Sequence, residues 1–125
     1  MSFNYPKHEK LKSQKHIDLL FSEGKSVSKY PLRLVYVPVE LEKNEQLKIG
    51  VSVSKKHFKN AVNRNHYKRL LRECYRLNKN ILLENLDKTY AIMFFYQSKD
   101  AMNFKEMNEK TVLLFEKFIK EIKSV

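Results

Sequence analysis

The chain has 125 residues, a net charge of +11 and a single cysteine, Cys74, which points to one domain and excludes a disulfide framework or a cysteine-only zinc site. An apolar fraction of 42%, with eight Phe and seven Tyr, provides for a core without staples, and two Gly and three Pro argue against long flexible linkers. No apolar stretch approaches the roughly 18 residues of a membrane helix, and the N-terminus lacks a signal-peptide core. The expectation is a soluble, cytoplasmic protein with no membrane partner.

Residues 1–12 are polar and basic, with Phe3 and Tyr5 interleaved among Lys7, His8, Lys10 and Lys12. They read as an N-terminal arm on a single domain spanning 1–125. Ser13 is a plausible N-cap and Gly24 a plausible stop. Ile17, Leu20 and Phe21 lie between them at helical spacing, which predicts a helix over 13–23. Pro31 and Pro38 bound the β-rich run 32–37, a predicted strand. After a polar loop, 47–54 alternates apolar and polar residues, the pattern of a half-buried strand. Its polar face carries Lys48, Ser52 and Ser54 around Gly50, small or basic groups that a ligand backbone could approach.

From about Asn60 to Asn78 the period becomes helical. At 100° per residue, Arg64, Asn65, Lys68, Arg69, Arg72 and Arg76 share one arc, and Tyr67, Leu70, Cys74 and Leu77 the opposite one, with Leu71 and Tyr75 flanking the basic side. Residues 89–96 are continuously apolar and read as a strand covered on both faces. Asn103, with Glu106 three residues on, opens a last helix. Phe104, Met107, Leu114, Phe115, Phe118, Ile119 and Ile122 form its apolar stripe. One sheet with packed helices, an α+β domain, is the predicted architecture.

Charge is distributed unevenly. Residues 1–79 hold 18 Lys/Arg against 7 Asp/Glu, whereas 80–125 hold 7 of each. Residues 55–76 alone carry eight Lys or Arg and one acid, Glu73. A solvated helix face ordinarily mixes signs, because like charges at i,i+4 oppose each other. Arg64, Lys68, Arg72 and Arg76 repeat at that spacing, so a polyanion is the implied partner. Arginine suits it, because its planar fork holds a phosphate with two hydrogen bonds. Near the first predicted helix, Lys12, Lys15, His16, Ile17 and Phe21, then Lys25 and Tyr36, interleave basic with apolar and aromatic groups, an arrangement that fits stacking on unpaired bases. Leu20 reads as core, and Phe21 fits core and stacking equally.

Enzyme signatures are weak. The four histidines form no metal-ligand spacing with Cys74 or with carboxylates. Acids in the basic half are scattered, against a protein-held two-metal nuclease site. Cys74 lies on the apolar arc and reads as core. The residues describe an RNA- or DNA-binding domain without evident catalytic groups. A DNA-reading helix-turn-helix is disfavoured, since strands rather than a partner helix flank the basic helix.

The run Ile49-Gly50-Val51-Ser52-Val53-Ser54-Lys55-Lys56, followed by Asn60-Ala61-Val62, Arg64-Asn65 and Lys68-Arg69-Leu70-Leu71-Arg72-Glu73, resembles the bacterial ribonuclease P protein component. Phe21-Ser22-Glu23-Gly24-Lys25-Ser26-Val27 resembles its N-terminal part. The resemblance implies a fold of order αβββαβα, with a mixed sheet of about four strands and a left-handed βαβ crossover, ribosomal protein S5 domain 2-like. It implies as partners the catalytic RNA of ribonuclease P and precursor tRNA, with no small-molecule cofactor. It implies an endoribonuclease reaction, Mg²⁺-dependent removal of the 5′ leader, in which the RNA subunit carries the chemistry and, with substrate, holds most of the Mg²⁺. The RNA-subunit contact falls on Asn60, Arg64, Asn65, His66, Lys68, Arg69, Arg72 and Arg76. The leader-binding cleft falls on Lys15, Ile17, Phe21, Tyr36 or Val35, Ser52, Lys55 and Lys56. The chain departs from the family's pattern in three places. His66 stands where the motif usually has Arg, Ile17 where a leader-stacking aromatic is expected, and Tyr96-Gln97-Ser98-Lys99 where a basic pair often follows the last strand. The alternative reading is a structural RNA-binding protein of ribosomal type, and a self-sufficient metal-dependent nuclease is a third.

Overall fold

Ser13 and Gly24 bracket the first helix as predicted. In a computed structural model, which describes residues 5–54 and 60–123, α1 runs Gln14–Glu23. The Ser13 hydroxyl accepts the His16 amide at 3.3 Å, and the Gly24 amide donates to Leu20 O at 3.1 Å. Glycine is required at 24 by close approach: a Cβ there would lie 2.3 Å from Leu20 O and 2.7 Å from Val35 Cγ1. Gly24→Ala should therefore push α1 off the sheet and cost about 1–3 kcal/mol, read as a lower thermal midpoint with little change in helix content.

Four strands follow: β1 Lys25–Lys29, β2 Leu32–Pro38, β3 Leu47–Val53 and β4 Tyr90–Tyr96. α2, Ala61–Leu83, connects β3 to β4, and α3, Phe104–Lys123, closes the chain. The element order matches the expected αβββαβα, although β1 escapes the residue pattern. In the sheet order β1-β2-β4-β3, the first two pairings are antiparallel and β3 runs parallel to β4.

Side-chain alternation places two layers against this sheet. Leu32, Leu34 and Tyr36 of β2, Ile49 of β3, and Ile92 and Phe94 of β4 point into the main core under α2 and α3. There Phe94 meets Phe115 with ring centroids 5.5 Å apart. Each such fully buried side chain contributes about 1.5–3 kcal/mol of transfer free energy. On the other face Leu20 of α1 packs with Val37 and Ala91 in a smaller cluster.

α1 covers only part of that second face. Ala91 is buried beneath it, but Met93 and Phe95 are only half-buried, so β4 is not covered on both faces along its length. α2 extends past the expected Asn78 to Leu83, because Leu82 is fully buried and Ile81 and Leu83 pack beside it. Its buried side also differs in phase from the expectation. Tyr67, Leu71, Cys74, Tyr75, Lys79 and Leu82 face inward, whereas Leu77 is exposed. Leu71 and Tyr75 belong to the core side because α2 contacts β3 along one flank and α3 along the other. At α3 the capping box forms as predicted: Asn103 Oδ1 accepts the Glu106 amide at 2.8 Å and Nδ2 donates to Glu106 Oε1 at 3.2 Å. The predicted stripe is buried apart from Phe104, which is exposed in the first turn.

The N-terminal segment is not a free arm. A single 3-10 turn, Lys7–Glu9, leads to Lys10, which forms an isolated parallel bridge with Ile49. The Leu11 amide donates to Ile49 O at 3.1 Å and Lys48 Nζ to His8 O at 2.6 Å. Glu9, 7% exposed, ion-pairs with Lys79, 5% exposed, at 3.2 Å and accepts the Tyr75 hydroxyl at 2.8 Å. The segment thus covers part of the free edge of β3, where an unpaired strand is an association hazard.

Candidate nucleic-acid interface

The basic helix begins at Asn60, whose side-chain oxygen accepts the Val62 amide at 2.7 Å. Asn60 therefore caps α2, and that oxygen is engaged within the protein. Asn65, Arg69 and Arg72 are exposed, and Arg64 and Lys68 half-buried, on the basic arc of α2, whereas His66 is exposed on the opposite side of the helix, near Leu70 and Leu77. Lys68, Arg69 and Arg72 form no ion pair among the described residues. Arg76 differs: its guanidinium donates twice to Glu73, at 2.7 and 3.2 Å. These bonds hold the Glu73 carboxyl below its ordinary range. Arg76 is thus partly neutralised before any partner arrives. The His66 ring lies edge-on to Tyr67, centroids 5.1 Å apart, and Tyr67 stacks on Tyr96 at 4.9 Å.

The Tyr5 hydroxyl, pushed up to about 12 by burial, is drawn partly back by Arg72. Tyr5 donates to Ile49 O, packs edge-on against Tyr75, and lies 5.4 Å from Lys10 Nζ. The basic flank of α2 therefore continues across Tyr5 onto Lys10.

The second candidate surface is the uncovered part of the sheet beside α1. Leu20, Phe21, Gly24, Arg33, Val35, Met93 and Phe95 line a cleft of about 140 Å³. Phe21, 75% exposed, is a surface aromatic and not core. Ile17, half-buried, sits one turn earlier on the same side of α1. Ser52 pairs with Phe95 in the β3–β4 register and shares its face. Lys15 is exposed near the helix start and does not line the cleft. Lys55 and Lys56 lie outside the described residues.

Tyr36, expected in the cleft, is not part of it. It is 6% exposed and points to the opposite face, its ring 4.7 Å from Phe118 and 5.9 Å from Tyr90. Strand alternation puts Val35, not Tyr36, in the cleft. The region around Gly50 is also less open than expected, since a Cβ there would meet Met93 Sδ at 3.2 Å and Leu11 Cβ at 3.4 Å. Sequence reasoning missed Arg33, Met93 and Phe95. The signal was available for Arg33, a lone cation between apolar neighbours on a strand. For Met93 and Phe95 a continuous apolar run concealed which positions lie beyond the covering helix. Cys74 is buried against Thr111, and burial pushes its thiol up to about 11, consistent with a core role.

Residues 5–119 match the Ribonuclease P family. The chain belongs to this family. The ribonuclease P protein component of Porphyromonas gingivalis is 40% identical over 103 residues, covering 81% of this chain and 75% of that protein. That of Dictyoglomus thermophilum is 34% identical over 115 residues, covering 92% of each. The solved ribonuclease P protein from Thermotoga maritima superposes with a TM-score of 0.68 at 24% identity, over 87% of this chain and 96% of that one. At that identity the superposition speaks for the fold alone. Membership places the chain in tRNA processing as a ribonuclease P protein component.

Proposed function

We propose that this chain is the protein subunit of ribonuclease P, binding the catalytic RNA through α2 and the 5′ leader of precursor tRNA in the cleft beside α1. The observation that carries this reading is the α2 flank, where Lys68, Arg69 and Arg72 form no ion pair with a carboxylate among the described residues. That geometry suits a phosphate backbone. The aromatic cleft on the other sheet face suits unpaired nucleotides, which stack on exposed rings. A duplex would offer no free base to Phe21.

Under this reading the RNA subunit performs the hydrolysis, and this chain binds and orients the substrate. Among the described residues no group of three or more His, Cys, Asp or Glu converges. On the same reading the Mg²⁺ of the reaction is held mainly by the RNA subunit and the substrate. Cytoplasmic localisation belongs to the same reading; among the described residues no helix is long and apolar enough to cross a membrane.

Arg72→Ala should weaken binding to the catalytic RNA and make the dependence of log K on log salt shallower by about one, the equivalent of a single neutralised phosphate. A filter-binding series across salt concentrations measures both. An unchanged slope would remove Arg72 from the interface.

A further inference from the structure

Around the start of α1 a second cavity, of about 200 Å³, is lined by Lys7, Lys10, Lys12, Ser13, His16 and Lys48. None of the lining residues is acidic. Lys7 and Lys12 are exposed and form no ion pair among the described residues. Of the carboxylates nearby, Glu45 is bonded to Lys48 at 2.8 Å, Glu9 is buried on Lys79, and Glu40 and Glu42 line an adjoining hollow that shares His16 and Lys48. Four ammonium groups share this rim with the amide end of a ten-residue helix, whose dipole adds to the positive potential.

These lysines are held in place. The backbone that carries Lys7, Lys10 and Lys12 is fixed by the Leu11–Ile49 hydrogen bond, the Lys48–His8 bond and the buried Glu9–Lys79 pair. The fold thus holds mutually repelling cations together around a hollow, an arrangement that an anion relieves. Lys10 also lies over Tyr5, whose ring packs edge-on against Tyr75 of α2. The hollow is therefore the far end of the basic flank of α2.

The geometry points to a phosphate-binding site here for the backbone of an RNA strand, extending the α2 surface across the edge of β3 onto the N-terminal segment. The inference rests on the chain being an RNA-binding protein, but it does not depend on the leader cleft or on which RNA is bound.

The test compares the full chain with two double variants of equal charge change: Lys7→Ala/Lys12→Ala at the hollow and Lys105→Ala/Lys120→Ala on the exposed side of α3. The probe is a short oligouridylate, titrated at several salt concentrations, with inorganic phosphate in a parallel titration. All four lysines are exposed, so circular dichroism should report unchanged folding. The hollow variant should bind the oligonucleotide about tenfold more weakly, with a salt slope reduced by roughly 0.7 for each phosphate it no longer neutralises. The α3 variant should change neither. Equal weakening in both would overturn the site in favour of diffuse charge. Binding of inorganic phosphate at the hollow with oligonucleotide affinity unchanged would also overturn it, showing an anion site without an RNA role. Arg69→Ala separates the two readings. If it weakens oligonucleotide binding while the hollow variant does not, the α2 interface stands and this site falls.

Discussion

Glu9→Ala should destabilise the protein by about 3–5 kcal/mol, the usual cost of removing one partner from a buried ion pair. Lys79 is buried, with its ammonium 3.2 and 3.3 Å from the two Glu9 oxygens, and Tyr75 donates to the same carboxylate at 2.8 Å. Alanine at 9 would remove the carboxylate that faces the buried Lys79 ammonium and accepts the Tyr75 hydroxyl. Such a loss is a large share of the roughly 5–15 kcal/mol that ordinarily separates folded from unfolded chains. Urea unfolding measures it directly. Adding Lys79→Met should recover much of the loss, because the buried charge goes and an apolar chain of similar length replaces it. A Glu9→Ala cost below about 1 kcal/mol would mean that the N-terminal segment detaches without consequence. In that case its lysines would not be held in place.

Phe21→Ala should act on substrate binding rather than on stability. The ring is 75% exposed, so its removal leaves no core cavity, and the melting midpoint should stay close to that of the parent chain. Base–aromatic stacking is worth about 1–3 kcal/mol per base on alanine substitution. The expected result is a roughly five- to hundredfold loss in affinity for precursor tRNA carrying a leader, with mature tRNA unaffected. Equal losses for the two substrates would take Phe21 out of leader binding. A large fall in melting temperature would show that the ring supports the sheet face instead.

What the sequence disclosed follows from how locally each feature is encoded. The caps of α1 and α3, the alternation of β3 and the basic arc of α2 are written within a few residues, and all are present. β1 was hidden because only Val27 of its five residues is buried. A single inward side chain makes no pattern, and the strand exists through its pairing with β2. The N-terminal segment reads as a polar arm because its anchors are Tyr75 and Lys79, some 66 and 70 residues away. A buried lysine on a helix is indistinguishable by composition from an exposed one. The cleft was half legible. Phe21 and Ser52 share the uncovered face, but whether Val35 or Tyr36 joins them depends on strand phase, and Arg33 and Phe95 become neighbours of Phe21 only once β2, β4 and α1 are assembled.

The most direct test of the central claim is cleavage of a 5′-extended precursor tRNA at low Mg²⁺ by the protein alone, by the cognate catalytic RNA alone and by the two together. A protein subunit of ribonuclease P gives efficient cleavage at the mature 5′ end only when both are present. No stimulation by the protein, with tight RNA binding retained, would contradict the account and favour a structural RNA-binding role. Cleavage by the protein alone would contradict it more deeply, by placing the chemistry in this chain.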